Sequence, residues 1–354
     1  MSTITKYQSP SNVAEFPFEL LELIFLHIEH DKENKYYSSP IDLRLSGSNF
    51  CRFSLVCKRW AVVGQEVIWR QVDINSFQTA QRLLASSVFG QLHITQMRLG
   101  LGVPPENAVE ILERLRSLTE LIWQQGKLRT ATWWNNDNLT SLTKLTLWSP
   151  LEIPKNSKPR FQLKELSIFI YPDKLGLVRV GKALQSIIES CASTMEVFNL
   201  WANRLPSWFN RRQLPKLRTL RTHVSRHLET PLQASCLQGV THISFHSITD
   251  SHIKILNLQT FPSTLESLEI FSKCGFSENL SDIDVTWPTL FETPFGDDAS
   301  TVPNLRRIRV IVPNENGVYG RMKSSVEELH RVDRTRAFWA RHNVVFDVDW
   351  DGNP

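Results

Sequence analysis

A short apolar pattern recurs along most of this chain, and a recurrence of that length restricts the fold more than any composition does. Its fullest form is apolar-x-x-apolar-x-x-apolar-x-apolar, as in Leu115-x-x-Leu118-x-x-Leu121-x-Trp123, Leu139-x-x-Leu142-x-x-Leu145-x-Leu147 and Leu237-x-x-Val240-x-x-Ile243-x-Phe245. Val302-x-x-Leu305-x-x-Ile308-x-Val310 repeats it near the end. Shorter copies stand at Leu163-x-x-Leu166-x-Ile168, Met195-x-x-Phe198-x-Leu200, Leu214-x-x-Leu217-x-x-Leu220 and Leu265-x-x-Leu268-x-Ile270. Weaker ones begin at Trp69-x-x-Val72-x-Ile74 and Met97-x-Leu99. The last apolar position falls at 74, 99, 123, 147, 168, 200, 222 (by register), 245, 270 and 310, in steps of 25, 24, 24, 21, 32, 22, 23, 25 and 40 residues. A unit this short cannot bury its own apolar side, so neighbouring units must stack and share one continuous core.

The steps and the pattern resemble leucine-rich repeats, whose period is about 20–29 residues. Helical stretches at 77–86, 106–115 and 180–191 alternate with the strand-like ends of the repeats. The expected product over 76–312 is an α/β solenoid with a parallel sheet inside and helices outside. The Asn or Cys that usually follows the strand is mostly missing, with Asn203 and Cys274 only approximate matches, so an irregular solenoid is expected. The long step before Val310 holds an insertion containing Trp287, Pro288, Pro294 and Gly296. Residues 313–354 are expected to cap the array: a helix over 324–342 carrying Val326, Leu329, Val332, Phe338 and Trp339, then a strand over 344–350.

The start of the chain is different. Met1–Val13 is polar and contains Pro10, and is expected to be a disordered tail. From there to about residue 75 lies a helical module. Pro17 suits a first helical turn, where its missing N–H would lack a partner anyway. Leu20, Leu21, Ile24, Phe25 and Ile28 follow helical spacing. A second amphipathic stretch runs from Phe50 to Val63 and is expected to end at Gly64, with Val67-Ile68-Trp69 leading into Val72-Asp73-Ile74.

Three of these segments, in order, resemble the F-box motif: Phe16-Pro17-Phe18-Glu19-Leu20-Leu21-x-x-Ile24-Phe25, then Leu55-Val56-Cys57-Lys58-Arg59-Trp60, then Trp69. The match covers about one sixth of the chain. It departs from the family at Phe16, where a leucine is usual, and in a longer gap between helices, which implies an inserted loop around 31–48. The resemblance implies a three-helix module at 14–75 that docks a Skp-type adaptor, and through it a cullin, by Pro17, Leu20, Leu21, Ile24, Phe25, Val56, Cys57 and Trp60. Physically, a module this small cannot bury every apolar residue itself and leaves apolar surface to be covered. The alternative is a helical cap packed on the rest of the chain.

Strand alternation also assigns an open face to the array, since residues flanking the buried positions point the other way. Those following the last buried position are Trp148, Phe169, Trp201, His223, His246, Phe271 and Ile311. Beside them run Thr146, Ser167, Asn199, Arg221, Ser244, Glu269 and Arg309. An aromatic ladder beside a polar column suits protein binding, with Trp148, Phe169, Trp201, Arg221, His223, His246 and Phe271 as candidate target contacts. The competing possibility is that the ladder stacks on itself and binds nothing.

Other chemistry is not indicated. A net charge of +4, with dispersed basic residues, favours neither nucleic acid nor a membrane surface. The five Cys, at 51, 57, 191, 236 and 274, form no C-x-x-C pair and read as buried thiols in a reducing compartment. The sequence has no signal peptide and no apolar run of membrane-spanning length, which leads to a cytoplasmic or nuclear expectation. Phosphate-loop, dinucleotide, nucleophile-elbow and zinc-peptidase motifs are missing. His223/His227 and His242/His246 lack metal-site context, and Asp282, Asp284, Asp297 and Asp298 lack that of a calcium loop. No catalytic residue, metal or cofactor is expected. The resemblance implies a non-catalytic subunit of a ubiquitin ligase complex, acting in the ubiquitin conjugation pathway by binding a target protein. An F-box scaffold acting outside ubiquitin transfer is the alternative.

Overall fold

The computed structural model describes residues 20, 21, 23, 58–124, 133, 135–148, 159–169, 185–201, 213–223, 237–248, 261–272, 303–311 and 326–349. The chain is α/β, with eleven strands in one sheet whose order is the order of the sequence. The strands are β1 (Gln71–Ser76), β2 (Gln96–Gly102), β3 (Glu120–Trp123), β4 (Lys144–Trp148), β5 (Glu165–Phe169), β6 (Val197–Trp201), β7 (Thr219–His223), β8 (His242–Ile248), β9 (Ser267–Ser272), β10 (Arg307–Ile311) and β11 (Val345–Asp349). Among the described residues helices are fewer: α1 (Lys58–Arg70), α2 (Phe77–Ala85), α3 (Pro105–Arg114) and α4 (Val326–Arg341), with residues 20, 21, 23 and 185–191 also helical. Two compact units result, Met1–Glu120 and Leu121–Pro354.

In the second unit the repeat pattern becomes geometry. Leu145, Leu166, Phe198, Leu220, Ile243, Leu268, Ile308 and Phe346 are register partners along the parallel strands β4 to β11, and each is buried. Two residues on, Leu147, Ile168, Leu200, Thr222, Phe245, Ile270 and Val310 form a second buried row. Thr222 holds the position that the sequence left polar. The leading apolar-x-x-apolar spacing is a turn. The amide of Leu142 donates to Leu139 O at 3.0 Å, Leu217 to Leu214 O at 3.0 Å, and Val240 to Leu237 O at 2.9 Å. Both ends of the spacing thus turn inward, and all six residues are buried.

Successive repeats are joined by a carbonyl that accepts two amides. Thr143 O takes Lys164 N–H and Glu165 N–H, Lys164 O takes Glu196 and Val197, and Glu196 O takes Arg218 and Thr219, at 2.8–3.1 Å. Arg218 O, Thr241 O and Glu266 O continue the series. Threonine hydroxyls reinforce it: Thr194 Oγ1 donates to Leu163 O at 2.8 Å and Thr264 Oγ1 to Val240 O at 2.8 Å. These bonds satisfy backbone acceptors where one repeat passes to the next. A buried stack of Trp123, Trp133 and Phe161, with centroids 5.3 and 6.3 Å apart, fills the core beside β3 and β5.

The first unit contains α1, β1, α2, β2 and α3. Helix α1 does not end at Gly64; it continues to Arg70. Trp60, Val63, Gly64 and Val67 share its buried face, and burying that face outweighs the roughly 1 kcal/mol that an interior Gly costs. Strand β1 follows directly. Ser76 caps α2 by accepting from Thr79 N–H at 3.2 Å, and Pro105 opens α3. β1 and β2 pair in parallel with a bulge between Ile74 and Ser76. There Gly100 and Gly102 lie so close to Asn75 that a Cβ on either would run into its atoms.

The C-terminal helix and strand expected as a cap are present as α4 and β11, and β11 continues the ladder as a further parallel strand. Between them Asn343 adopts φ +59°. Asn343 N–H donates to Ala340 O at 3.1 Å and Val344 N–H to Trp339 O at 3.0 Å, the bonding of a Schellman C-cap with Asn in the left-handed position. Trp339 and Val344, which bracket that turn, are both buried.

Candidate functional site

The face of β4–β11 opposite the buried rows carries three outward rows. In the third, the ring ladder expected from the sequence stacks on itself. Trp148 and Phe169 lie 4.7 Å apart at 21°, and Phe169 and Trp201 5.3 Å apart at 32°. Trp201 then meets His246 at 4.9 Å, and His246 meets Phe271 at 3.9 Å and 11°. All five are half-buried, so ring edges still reach the surface. His223 is the register partner of both Trp201 and His246, and its side chain lies outside the described residues. Ile311, the last member of the expected row, is buried.

The middle row is less open than strand alternation suggests. Ser167, Asn199 and Ser244 are buried. Asn199 Nδ2 donates to Ser167 Oγ at 2.7 Å and reaches Glu165 Oε1 at 3.5 Å. Ser244 Oγ lies 3.3 Å from His246 Nε2. Arg221, between Asn199 and Ser244 in register, is the exposed exception.

Ion pairs tie the outward rows at both ends. Lys144 lies 3.6 Å from Glu165. Arg309 bonds Asp349 at 2.8 Å and approaches Glu269 to 3.8 Å, while Arg307 reaches Asp347 at 3.2 Å. Asp347 and Asp349 are thus paired with the preceding strand. The sequence reading missed this network, although both strands show its period-two signal.

In the first unit Leu21 and Trp60 are buried, whereas Leu20 is 45% exposed. Leu23 (60% exposed) and Val62 (62% exposed) add apolar surface that the sequence reading did not single out. Pro17, Ile24, Phe25, Val56 and Cys57 lie outside the described residues, as do the expected tail and the inserted loop. On outward positions of β1 and β2, Asp73 faces Arg98 at 3.6 Å. Burial nevertheless pushes the Asp73 carboxyl above its ordinary pKa, against the opposing pull of Arg98 and a hydrogen bond from Asn75.

Reactive groups are few among the described residues. Cys191 is buried, accepts from Leu163 N–H at 3.4 Å, and has its thiol pKa raised chiefly by burial, so it is held as the unreactive thiol. The other four cysteines lie outside the described residues. His242 is exposed and bonded to Thr241 Oγ1 at 2.7 Å, while His246 is within the ring stack, so the two do not converge on one point. Among the described residues no cluster of His, Cys, Asp or Glu could hold a metal, and no helix is long and apolar enough to cross a membrane.

No protein-family model matches the chain, and no curated protein matches its sequence.

Proposed function

We propose that this chain is the substrate-recognition subunit of a Skp–cullin–F-box ubiquitin ligase. The observation that carries the reading is the ordered three-part motif: Phe16 to Phe25, Leu55 to Trp60, and Trp69. Lys58, Arg59 and Trp60 open helix α1, which agrees with the helical setting the motif requires. Leu20, Leu23 and Val62 give the first unit exposed apolar side chains of the kind an adaptor covers. In this reading Leu21 and Trp60 support the module from within, and Leu20 belongs to its contact surface. The repeat strands present target protein on their outward face. The chain performs no chemistry; it raises the effective concentration of target lysines near a ubiquitin-charged enzyme.

Co-expression with a Skp-type adaptor tests the reading. Wild-type chain should retain adaptor through purification, and Leu20→Asp should lose it while keeping the wild-type circular dichroism spectrum. A wild-type chain that retains no adaptor would overturn the proposal. Adaptor retained without cullin, together with unchanged lifetimes of every bound protein when the chain is removed, would move it to a scaffold acting outside ubiquitin transfer.

A further inference from the structure

Among the described residues, the outward face of β4–β11 balances its charges locally, with Arg221 as the exception. Lys144 is matched by Glu165, Arg307 by Asp347, and Arg309 by Asp349 and Glu269. Arg221 is exposed and makes no hydrogen bond or ion pair with any described residue. Its register partners are Asn199 and Ser244, both neutral and buried. The carboxylates of the neighbouring strands are Glu165 on β5 and Glu269 on β9, each two strands away and each already engaged by another cation.

The same place is marked by the ring ladder. Trp201 and His246 stand on β6 and β8, either side of β7, and touch at 4.9 Å, so their rings lean towards each other across the strand that carries Arg221. Arg221 therefore stands two residues along β7 from the level in the register at which Trp201 and His246 meet. Arginine and tryptophan are the side chains that dominate protein-binding hot spots, through pairing with a carboxylate and through apolar burial respectively.

We infer that Arg221, with the Trp201–His246 pair, anchors an acidic segment of a partner protein: one Asp or Glu carboxylate on the guanidinium, beside a bulky apolar side chain laid on the exposed ring edges. Charge decides between anions. Arg221 supplies a single uncompensated positive charge, which suits a monoanionic carboxylate. A phosphate dianion would call for further cations, and the other described cations on these strands' outward face, Lys144, Arg307 and Arg309, are each paired with a carboxylate. The inference deepens the reading of the outward face as the target surface and rests on that part alone, independent of adaptor docking.

Selection of a displayed random peptide library on the full chain tests it. Enriched peptides should pair Asp or Glu with a neighbouring Trp, Phe or Leu. The tightest of them, synthesised, should lose at least about tenfold in affinity on Arg221→Glu. The same peptide with its acidic residue changed to Lys should prefer Arg221→Glu over wild type. Because Arg221 is exposed, the variant should keep the wild-type unfolding midpoint, and adaptor retention should not change. No enrichment, enrichment without acidic residues, or unchanged affinity on Arg221→Glu would each overturn the inference. Tighter binding of a phosphoserine peptide, or of a single-stranded oligonucleotide, would reassign the site to a phosphate. Peptide binding by a chain that retains no adaptor would sink the ligase reading and leave this one standing.

Discussion

Trp201 and His246 stand on strands β6 and β8, which do not pair, yet their rings meet with centroids 4.9 Å apart. That contact joins the Trp148–Phe169–Trp201 stack to the His246–Phe271 stack in one column of described rings. A ring pair of this kind contributes about 0.5–1.5 kcal/mol beyond its buried area. A double-mutant cycle on Trp201→Ala and His246→Ala, read by urea unfolding, should give a coupling energy in that range. Additive losses would show that the rings merely lie near each other.

The threonine hydroxyls between repeats should matter more than their size suggests. Thr194 Oγ1 donates to Leu163 O at 2.8 Å, on a carbonyl belonging to the preceding repeat. Thr194→Val keeps the shape and removes the donor, which should cost about 1 kcal/mol. Thr194→Ser restores the hydroxyl and should recover most of the loss. A larger loss for Ser than for Val would assign the effect to packing of the methyl group.

The buried rows were legible in the sequence because their causes are local. Leu139-x-x-Leu142-x-x-Leu145-x-Leu147 encodes a turn followed by a period-two strand, and both give the same inward assignment. Thr222 was found by register alone. Gly64 misled because a lone Gly reads as a stop, whereas the Trp60, Val63 and Val67 face carries α1 past it. The outward rows were legible only as membership. Which rings touch depends on how side chains lean between strands, so neither the Trp201–His246 contact nor the burial of Ser167 and Asn199 could be read from spacing. The Arg307–Asp347 and Arg309–Asp349 pairs needed a fact that spacing does not carry: β11 pairs with β10 in parallel, 38 residues along.

Asn343 should tolerate glycine and little else. Its φ of +59° closes the C-terminus of α4, and Val344 N–H reaches back to Trp339 O at 3.0 Å. Glycine adopts that conformation without strain, so Asn343→Gly should leave the unfolding midpoint unchanged or raise it. A β-branched residue there pays a steric cost of about 1–2 kcal/mol, so Asn343→Val should lower stability by that amount. Equal midpoints for Gly and Val would mean that the turn does not hold the end of the helix.

Asp73 should give the stability curve an unusual slope. Most carboxylates in ion pairs have lowered pKa values and lose stabilisation as pH falls. Asp73 is the reverse: burial raises its pKa from 3.8 despite Arg98 at 3.6 Å, so its folded form binds a proton more readily than the unfolded chain does. A raised pKa places its contribution below the ordinary Asp value, and that contribution is lost as pH rises through the folded pKa. Asp73→Asn removes the titration while keeping the shape. The stability of wild type relative to Asp73→Asn, measured by urea unfolding from pH 7 down towards 3.8, should therefore move in favour of wild type. If the Arg98 pair outweighed burial, the difference would move the other way and the ion pair would be the stabilising element at neutral pH.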